Sequence, residues 1–274
     1  MLMIKKMSNK EYHTAEGLSK SMMDKINKSP AHFKYSQDNP EEQTESMLLG
    51  SLLHTLILEP RLLKKEYAVL PFIDRRTTAG KVAYAEFIEL NKNKTVITEE
   101  QLQMVSKWAD AIKKHPKAKL LLKPKTGQNE VSIFWKDKLT GETCKARLDR
   151  IVDDYIIDLK TAISTQPDDF ARKAYELGYH RQAYWFSEAF EQEFGKKPEG
   201  FLFISVEKTP PYNVVVYAAT EFFIEVGAID SRKLLNTYHE CKETNNWFGY
   251  DGANYDVQDL NLPNYVISKY MEEI

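Results

Sequence analysis

Cysteine is scarce in this sequence: Cys144 and Cys241 stand far apart, with no CxxC pair. That excludes a disulfide framework and gives no basis for a zinc or iron-sulfur site, so a reducing, cytoplasmic setting is expected. Long apolar runs are missing as well. No stretch approaches the roughly 20 residues of a membrane span, and the opening M-L-M-I-K-K-M-S-N-K-E-Y is too short in apolar length for a secretory signal. Charge of one sign is also lacking: 38 Lys and Arg face 40 Asp and Glu, a net charge of -2. A protein that coats nucleic acid by bulk positive charge is thereby excluded, and any such contact must come from a local basic surface. Neither repeats nor low-complexity segments occur, and no composition shift marks a second domain. Residues 1–274 therefore read as a single domain, with 42% hydrophobic residues to fill its core.

What is present is a succession of helical and extended patterns. Ser19 or Ser21 can cap a helix to about Lys28, stopped by Ser29-Pro30. Leu48, Leu49, Leu52, Leu53 and Leu56 recur at helical spacing over Glu41 to Leu58, ended by Pro60. Extended chain over 64–74 and a loop then lead to helices from about Val82 and from Glu99 to His115. From Glu130 the pattern becomes a three-stranded meander, V-S-I-F-W, T-C-K-A-R-L-D-R-I-V and Y-I-I-D-L-K, turning at D-K-L-T-G and at Asp153-Asp154. A helix over 168–194, two strands and a helix over 221–243 follow. The expected class is α/β (α+β), a mixed central sheet flanked by helices. A helical part covers about 1–125 and the sheet core about 126–245.

Chemistry concentrates between Lys145 and Thr161, K-A-R-L-D-R-I-V-D-D-Y-I-I-D-L-K-T. Strand alternation puts Asp158 and Lys160 on one face, and Asp149 lies on the preceding strand. Phosphodiester hydrolysis needs a hydroxide near neutral pH and neutralised phosphate charge, both of which Mg²⁺ held by carboxylates supplies. Asp149 and Asp158 are the natural ligands, the Leu159 carbonyl can add a hard oxygen, and Lys160 can orient water or stabilise the pentacovalent phosphate. The competing reading is a buried ion pair. An acid-x-lysine triplet is a weak pattern that recurs at Glu240-Cys241-Lys242, there as solvated charge. Burying Asp158 in so apolar a strand nonetheless costs several kcal/mol unless a partner or metal compensates.

Other candidates carry plainer alternatives. His54 sits one turn after Gly50 and Ser51 and can be an imidazole ligand, although a lone helical histidine is commonly a core or surface residue. Glu130 can ligate a metal or water, or simply open its strand. Gln182 can bond a phosphate, a base edge or the attacking water, while Trp185 and Phe186 read as core. Arg75, Arg76, Thr77, Thr78 and Lys81 form a basic, hydroxyl-rich segment suited to DNA phosphates, or an ordinary solvated loop. Lys113, Lys114, Lys117 and Lys119 read as a helix end.

In combination these residues resemble the RecE-like exonucleases (exonuclease VIII type) of phages and prophages, in the PD-(D/E)XK superfamily. The likeness runs through L-S-K-S-M-M-D-K-I-N-K-S-P-A-H-F-K-Y, G-S-L-L-H-T-L-I-L-E-P, R-L-D-R-I, I-I-D-L-K-T-A, E-L-G-Y-H-R-Q-A-Y-W-F and V-E-K-T-P-P-Y. It implies a restriction-endonuclease-like core, with the metal-binding histidine at His54, the aspartates at Asp149 and Asp158 and the lysine at Lys160. The wider group often has a tyrosine four residues after the glutamine; here Phe186 follows Gln182, with Tyr184 close by. The resemblance further implies Mg²⁺-dependent (or Mn²⁺-dependent) 5′ to 3′ digestion of linear double-stranded DNA to 3′ tails. It implies a RecT-type annealing partner for those tails and a toroidal tetramer, with no membrane. The alternatives are an endonuclease of flap, junction or restriction type with the same catalytic residues, and a catalytically idle DNA-binding module.

Overall fold

The computed structural model describes residues 3–5, 7–124 and 126–271. The chain opens with β1 (Met3–Lys5) and α1 (Asn9–Thr14), which Ser8 and Glu11 start with a reciprocal capping box. Next come α2 (Lys20–Lys28) and α3 (Pro30–Asp38), with Pro30 at the first helical position. The leucine-rich α4 (Glu45–Leu58) begins later than Glu41, because the Thr44 hydroxyl accepts from Met47 N and fixes the start there. A short 3₁₀ turn and α5 (Leu63–Glu66) precede β2 (Tyr67–Leu70), where uninterrupted extended chain was expected. Helix α6 (Thr78–Leu90) starts earlier than Val82, since Thr77 caps it through Gly80 N at 2.9 Å. Lys81 consequently lies in the first turn of a helix and not in a loop.

Strand β3 (Thr95–Thr98) leads into α7 (Glu99–Lys114) and α8 (Pro116–Leu121), then into β4 (Gln128–Lys136), β5 (Thr143–Val152) and β6 (Tyr155–Ala162). The helix expected over 168–194 is two, α9 (Pro167–Glu176) and α10 (Tyr179–Phe194). Gly178 breaks it with φ +66°, and a Cβ there would fall 2.2 Å from the Arg181 guanidinium. Strands β7 (Gly200–Glu207) and β8 (Val214–Ala218) and helices α11 (Glu221–Thr244) and α12 (Asn264–Tyr270) complete the order. No helix among the described residues is long and apolar enough to cross a membrane.

Two compact units result, Met1–Lys20 with Glu41–Lys233, and Ser21–Pro40 with Leu234–Ile274. The smaller is built on aromatics: Phe33 meets Tyr238 edge-on at 5.6 Å and Trp247 at 5.4 Å. The larger holds a six-stranded mixed sheet ordered β1-β4-β5-β6-β7-β8, with β6 and β7 parallel and the other neighbours antiparallel. Strands β2 and β3 form a separate parallel pair.

Both faces of the central strands are covered, which is why Y-I-I-D-L-K is apolar throughout. On one face Leu52 and Leu53 of α4 and Val105, Trp108 and Ile112 of α7 cluster with Ile157, Leu159, Ile204 and Val206. Each such buried side chain contributes roughly 1.5–3 kcal/mol. On the other, α10 sets Phe186 against Phe201 and Trp185 against Trp135, and Trp185 Nε1 donates to Lys145 O at 3.0 Å. Lys145 is itself structural: its buried ammonium donates to the Tyr12 and Ala15 carbonyls at 3.0 and 2.5 Å, closing the end of α1.

The β4–β5 hairpin turns on Asp137, whose carboxylate accepts from Thr140 N at 2.8 Å and from both Arg232 amino nitrogens at 3.0 and 2.7 Å. Burial works against the charge, but Arg232 and Thr140 outweigh it and bring the carboxyl down to about 2. A folded-state value below the usual 3.8 means the contribution is complete above about pH 4 and lost as pH falls towards 2. Asp137→Asn is expected to cost about 1–2 kcal/mol, a drop of several degrees in Tm by calorimetry at pH 7. The gap from wild type should narrow between pH 4 and pH 2.

Candidate active site

Register places the chemistry. In the β4–β5 ladder the rungs on either side of Glu130 are Asn129–Arg150 and Val131–Leu148, so Glu130 stands opposite Asp149 at the one rung missing between them. In the β5–β6 ladder the last rung is Arg150–Ile157, so the next residues outward are Asp149 and Asp158. Three carboxylates thus fall in one row across β4, β5 and β6, where neighbouring strands lie about 4.8 Å apart. Residues 143–149 of β5 and 158–162 of β6 are unpaired with each other, while β6 continues on β7. Asp149 fills the gap: its Oδ2 accepts the Leu159 N–H at 2.8 Å, replacing a strand carbonyl.

From the other side α4 supplies His54. Its Nδ1 lies 3.5 Å from Asp149 Oδ1 and 3.9 Å from Glu130 Oε1, and its Nε2 lies 3.3 Å from the Leu159 carbonyl. The end of α4 is anchored by Asn129 Nδ2, which donates to Leu58 O at 2.7 Å, and Asn129 Oδ1 accepts from buried Arg150 at 2.5 Å. Glu130 has φ +52°, an uncommon conformation for a glutamate, and its other oxygen accepts from Arg147 Nε at 2.7 Å. His54, Glu130 and Asp149 each present a ligand atom within 4.8 Å of the others. Beside them opens a cleft of about 820 Å³ lined by Ser51, His54, Tyr67, Asn129, Glu130 and Arg147.

Asp158, fully buried, stands further along the row. Its Oδ1 accepts from Gln182 Nε2 at 2.6 Å. Lys160 Nζ lies 2.6 Å from Oδ2 in a close ion pair. The ammonium also lies 4.7 Å from the ring centre of Tyr179, which stacks on Phe203 at 5.6 Å.

The electrostatics fit a cation. Burial disfavours the Asp149 charge and, despite His54, the neighbouring Asp158 and Glu130 help lift its carboxyl to about 7. Burial also opposes the His54 imidazolium, yet Asp149 and Glu130 overcome it and raise the group to about 9. Two carboxylate atoms at the outer limit of 4.8 Å repel by about 3.5 kcal/mol at an effective dielectric of 20. An imidazole, two or three carboxylates and the Leu159 carbonyl form a mostly hard-oxygen donor set, which suits a divalent cation such as Mg²⁺ or Mn²⁺.

The structure therefore brings together His54, Glu130, Asp149, Asp158, Leu159, Lys160 and Gln182. The cluster offered for a cation contains Glu130, while Asp158 faces Gln182 and Lys160. Arg75 and Arg76 lie on the β2–α6 connection: Arg75 stacks over Tyr84 at 4.1 Å and Arg76 pairs with Asp74 at 2.9 Å. Tyr184 turns to Glu188 instead of the site. Sequence reasoning missed Arg147 and Tyr179. Arg147 precedes Asp149 by two residues, so strand alternation gives it the same face, diagonal to Glu130. Tyr179 lies one helical turn before Gln182.

A family model described as a PDDEXK-like domain of unknown function (DUF3799) matches residues 19–256. No curated protein matches. Among solved structures, a presumed exonuclease from Eubacterium rectale covers 97% of this chain and 98% of its own, with TM-score 0.62 and 14% identity, a likeness of fold. SSO0001 covers 68% of this chain and 86% of its own, at 17% identity and TM-score 0.29.

Tyr179→Ala is expected to free Lys160 and lower kcat about tenfold with little change in KM, in line with a cation–π contact worth about 1–2 kcal/mol. Tyr179→Phe keeps the ring and should stay within about twofold of wild type. Equal losses in both variants, in steady-state kinetics of nuclease action, would assign the role to the hydroxyl.

Proposed function

The chain belongs to the PDDEXK-like family DUF3799, and within that nuclease fold we propose a metal-dependent exodeoxyribonuclease that digests linear double-stranded DNA from 5′ ends. The observation that carries the hydrolytic reading is the row of Glu130, Asp149 and Asp158, closed by His54 on one side and Lys160 on the other. Exonucleolytic action is supported by the description of the Eubacterium rectale protein and by the order of motifs shared with RecE-like enzymes. Polarity, 3′ single-stranded tails, a RecT-type annealing partner and a toroidal tetramer belong to the same reading through that resemblance.

His54, Glu130, Asp149 and the Leu159 carbonyl would hold Mg²⁺, with Asp158 Oδ2 within the same row. Bound there, the cation supplies an activated water and neutralises charge on the scissile phosphate. The chain's own groups set the geometry. Arg147 fixes the rotamer of Glu130, and the Leu159 N–H fixes that of Asp149. Gln182 holds Asp158, and Asp158 with Tyr179 holds the Lys160 ammonium where it can meet a phosphoryl oxygen as charge grows on it. Burial disfavours the charge on Lys160, but Asp158 prevails and holds the group above its ordinary value, which fits a protonated electrostatic partner.

The test uses linear and covalently closed duplexes, labelled at 5′ or 3′ ends, with Mg²⁺ or EDTA. Wild type should release label from the 5′ ends of linear DNA only, and only with metal. Asp158→Ala should lower the rate by at least about a hundredfold while leaving circular dichroism unchanged. Cutting of closed circles would move the assignment to an endonuclease. Full activity of Asp158→Ala would contradict the site.

A further inference from the structure

Resting on the nuclease reading, we propose that Phe72 is a stacking platform for the bases of a single DNA strand within about 18 Å of the active-site cleft. Phe72 is 98% exposed, an extreme for an aromatic side chain in an ordered connection. Its backbone is held on both sides. Strand β2 pairs with β3 up to Leu70–Thr98, and Pro71 restricts the next φ.

Beyond Phe72, Asp74 locks the turn. Its carboxylate accepts from Arg76 N at 3.1 Å and from the Arg76 guanidinium at 2.9 and 3.2 Å, and its carbonyl accepts from the Thr77 hydroxyl at 3.0 Å. Gly80 closes on the same carbonyl so tightly that a Cβ would lie 1.9 Å from it. An aromatic ring presented on a braced turn loses little conformational freedom when a planar ligand covers it.

The charge of the segment chooses the ligand. Arg75, Arg76 and Lys81 follow Phe72 in the chain against the single carboxylate of Asp74, and Arg76 is 90% exposed. Protein-docking hot spots sit in contiguous apolar surface. An exposed aromatic followed closely in the chain by arginines and a lysine instead has the composition of grooves that track a phosphate backbone and stack its bases. Arg75 adds a second flat surface, stacked on Tyr84 at 4.1 Å.

Position relates the platform to the chemistry. Tyr67, at the start of β2, lines the cleft with His54 and Glu130. Phe72 is five residues on, so it lies no more than about 18 Å along the chain from that wall. A strand separated from its complement would thus meet the ring within a few nucleotides of the cleft.

The experiment is fluorescence anisotropy of labelled oligo-dT and of a blunt duplex of equal length, in EDTA, with the full chain as wild type, Phe72→Ala and Phe72→Trp. Phe72→Ala should weaken oligo-dT binding about 5- to 100-fold, the worth of one base stack. It should change duplex binding less than about twofold and leave Tm and oligomeric state unaltered. Phe72→Trp should bind like wild type and show indole emission, additional to that of wild type, that oligo-dT quenches. Unchanged oligo-dT affinity in Phe72→Ala, absence of that quenching, an equal loss on duplex or a change of oligomeric state would each overturn the proposal. In all of those cases end-dependent digestion by wild type would leave the nuclease reading standing. A wild type that digests no DNA would remove that reading instead, and one that binds no single strand removes the platform.

Discussion

A rung that is missing from a β-ladder organises this site. Strands β5 and β6 pair from Val152–Tyr155 to Arg150–Ile157 and then stop, and the residues at which they stop are both aspartates. The Leu159 N–H, deprived of a strand carbonyl, is satisfied by Asp149 Oδ2 at 2.8 Å. That bond fixes the carboxylate rotamer and keeps the ladder open. Through the opening the Leu159 carbonyl faces His54 from α4, while Asp158 faces Gln182 from α10. Helices α4 and α10 therefore both reach the row, each through one side chain.

So many buried ionisable groups destabilise the fold unless they compensate one another. The pairing is laid out from one end of the row to the other, with Arg147 on Glu130, His54 between Glu130 and Asp149, and Lys160 on Asp158. In the middle of the row, burial and the neighbouring Asp158 and Glu130 push the Asp149 carboxyl up to about 7. A divalent cation placed there would relieve repulsion that the protein cations relieve only in part. The binding geometry and the electrostatic strain point to the same place.

Much of this was legible in the chain because turn chemistry and alternation are local. Asp153 and Asp154 both take positive φ, the two-residue hairpin that their sequence announces, and Asp149, Asp158 and Lys160 follow from counting outward. The same count from the Asp137–Gly141 turn would have put Glu130 opposite Asp149, but Glu130 stayed open between a metal ligand and a strand opening because its role depends on two registers at once. Arg147 and Tyr179 were hidden for a similar reason: each acts through a partner on another element. The helix break at Gly178 passed unseen inside a strong helical pattern, where one glycine costs only about 1 kcal/mol. Its close approach to Arg181 is a tertiary fact. The pairing of β1 with β4 and of β2 with β3 is likewise non-local, and strands of three and four residues carry little pattern of their own.

The central claim is that the open ladder is a cation site. Anomalous diffraction from crystals soaked in Mn²⁺ addresses it without reference to any activity. One strong peak is predicted among His54, Glu130, Asp149 and the Leu159 carbonyl, absent from Asp149→Asn crystals. No peak there, or a peak unaltered by Asp149→Asn, would contradict the account.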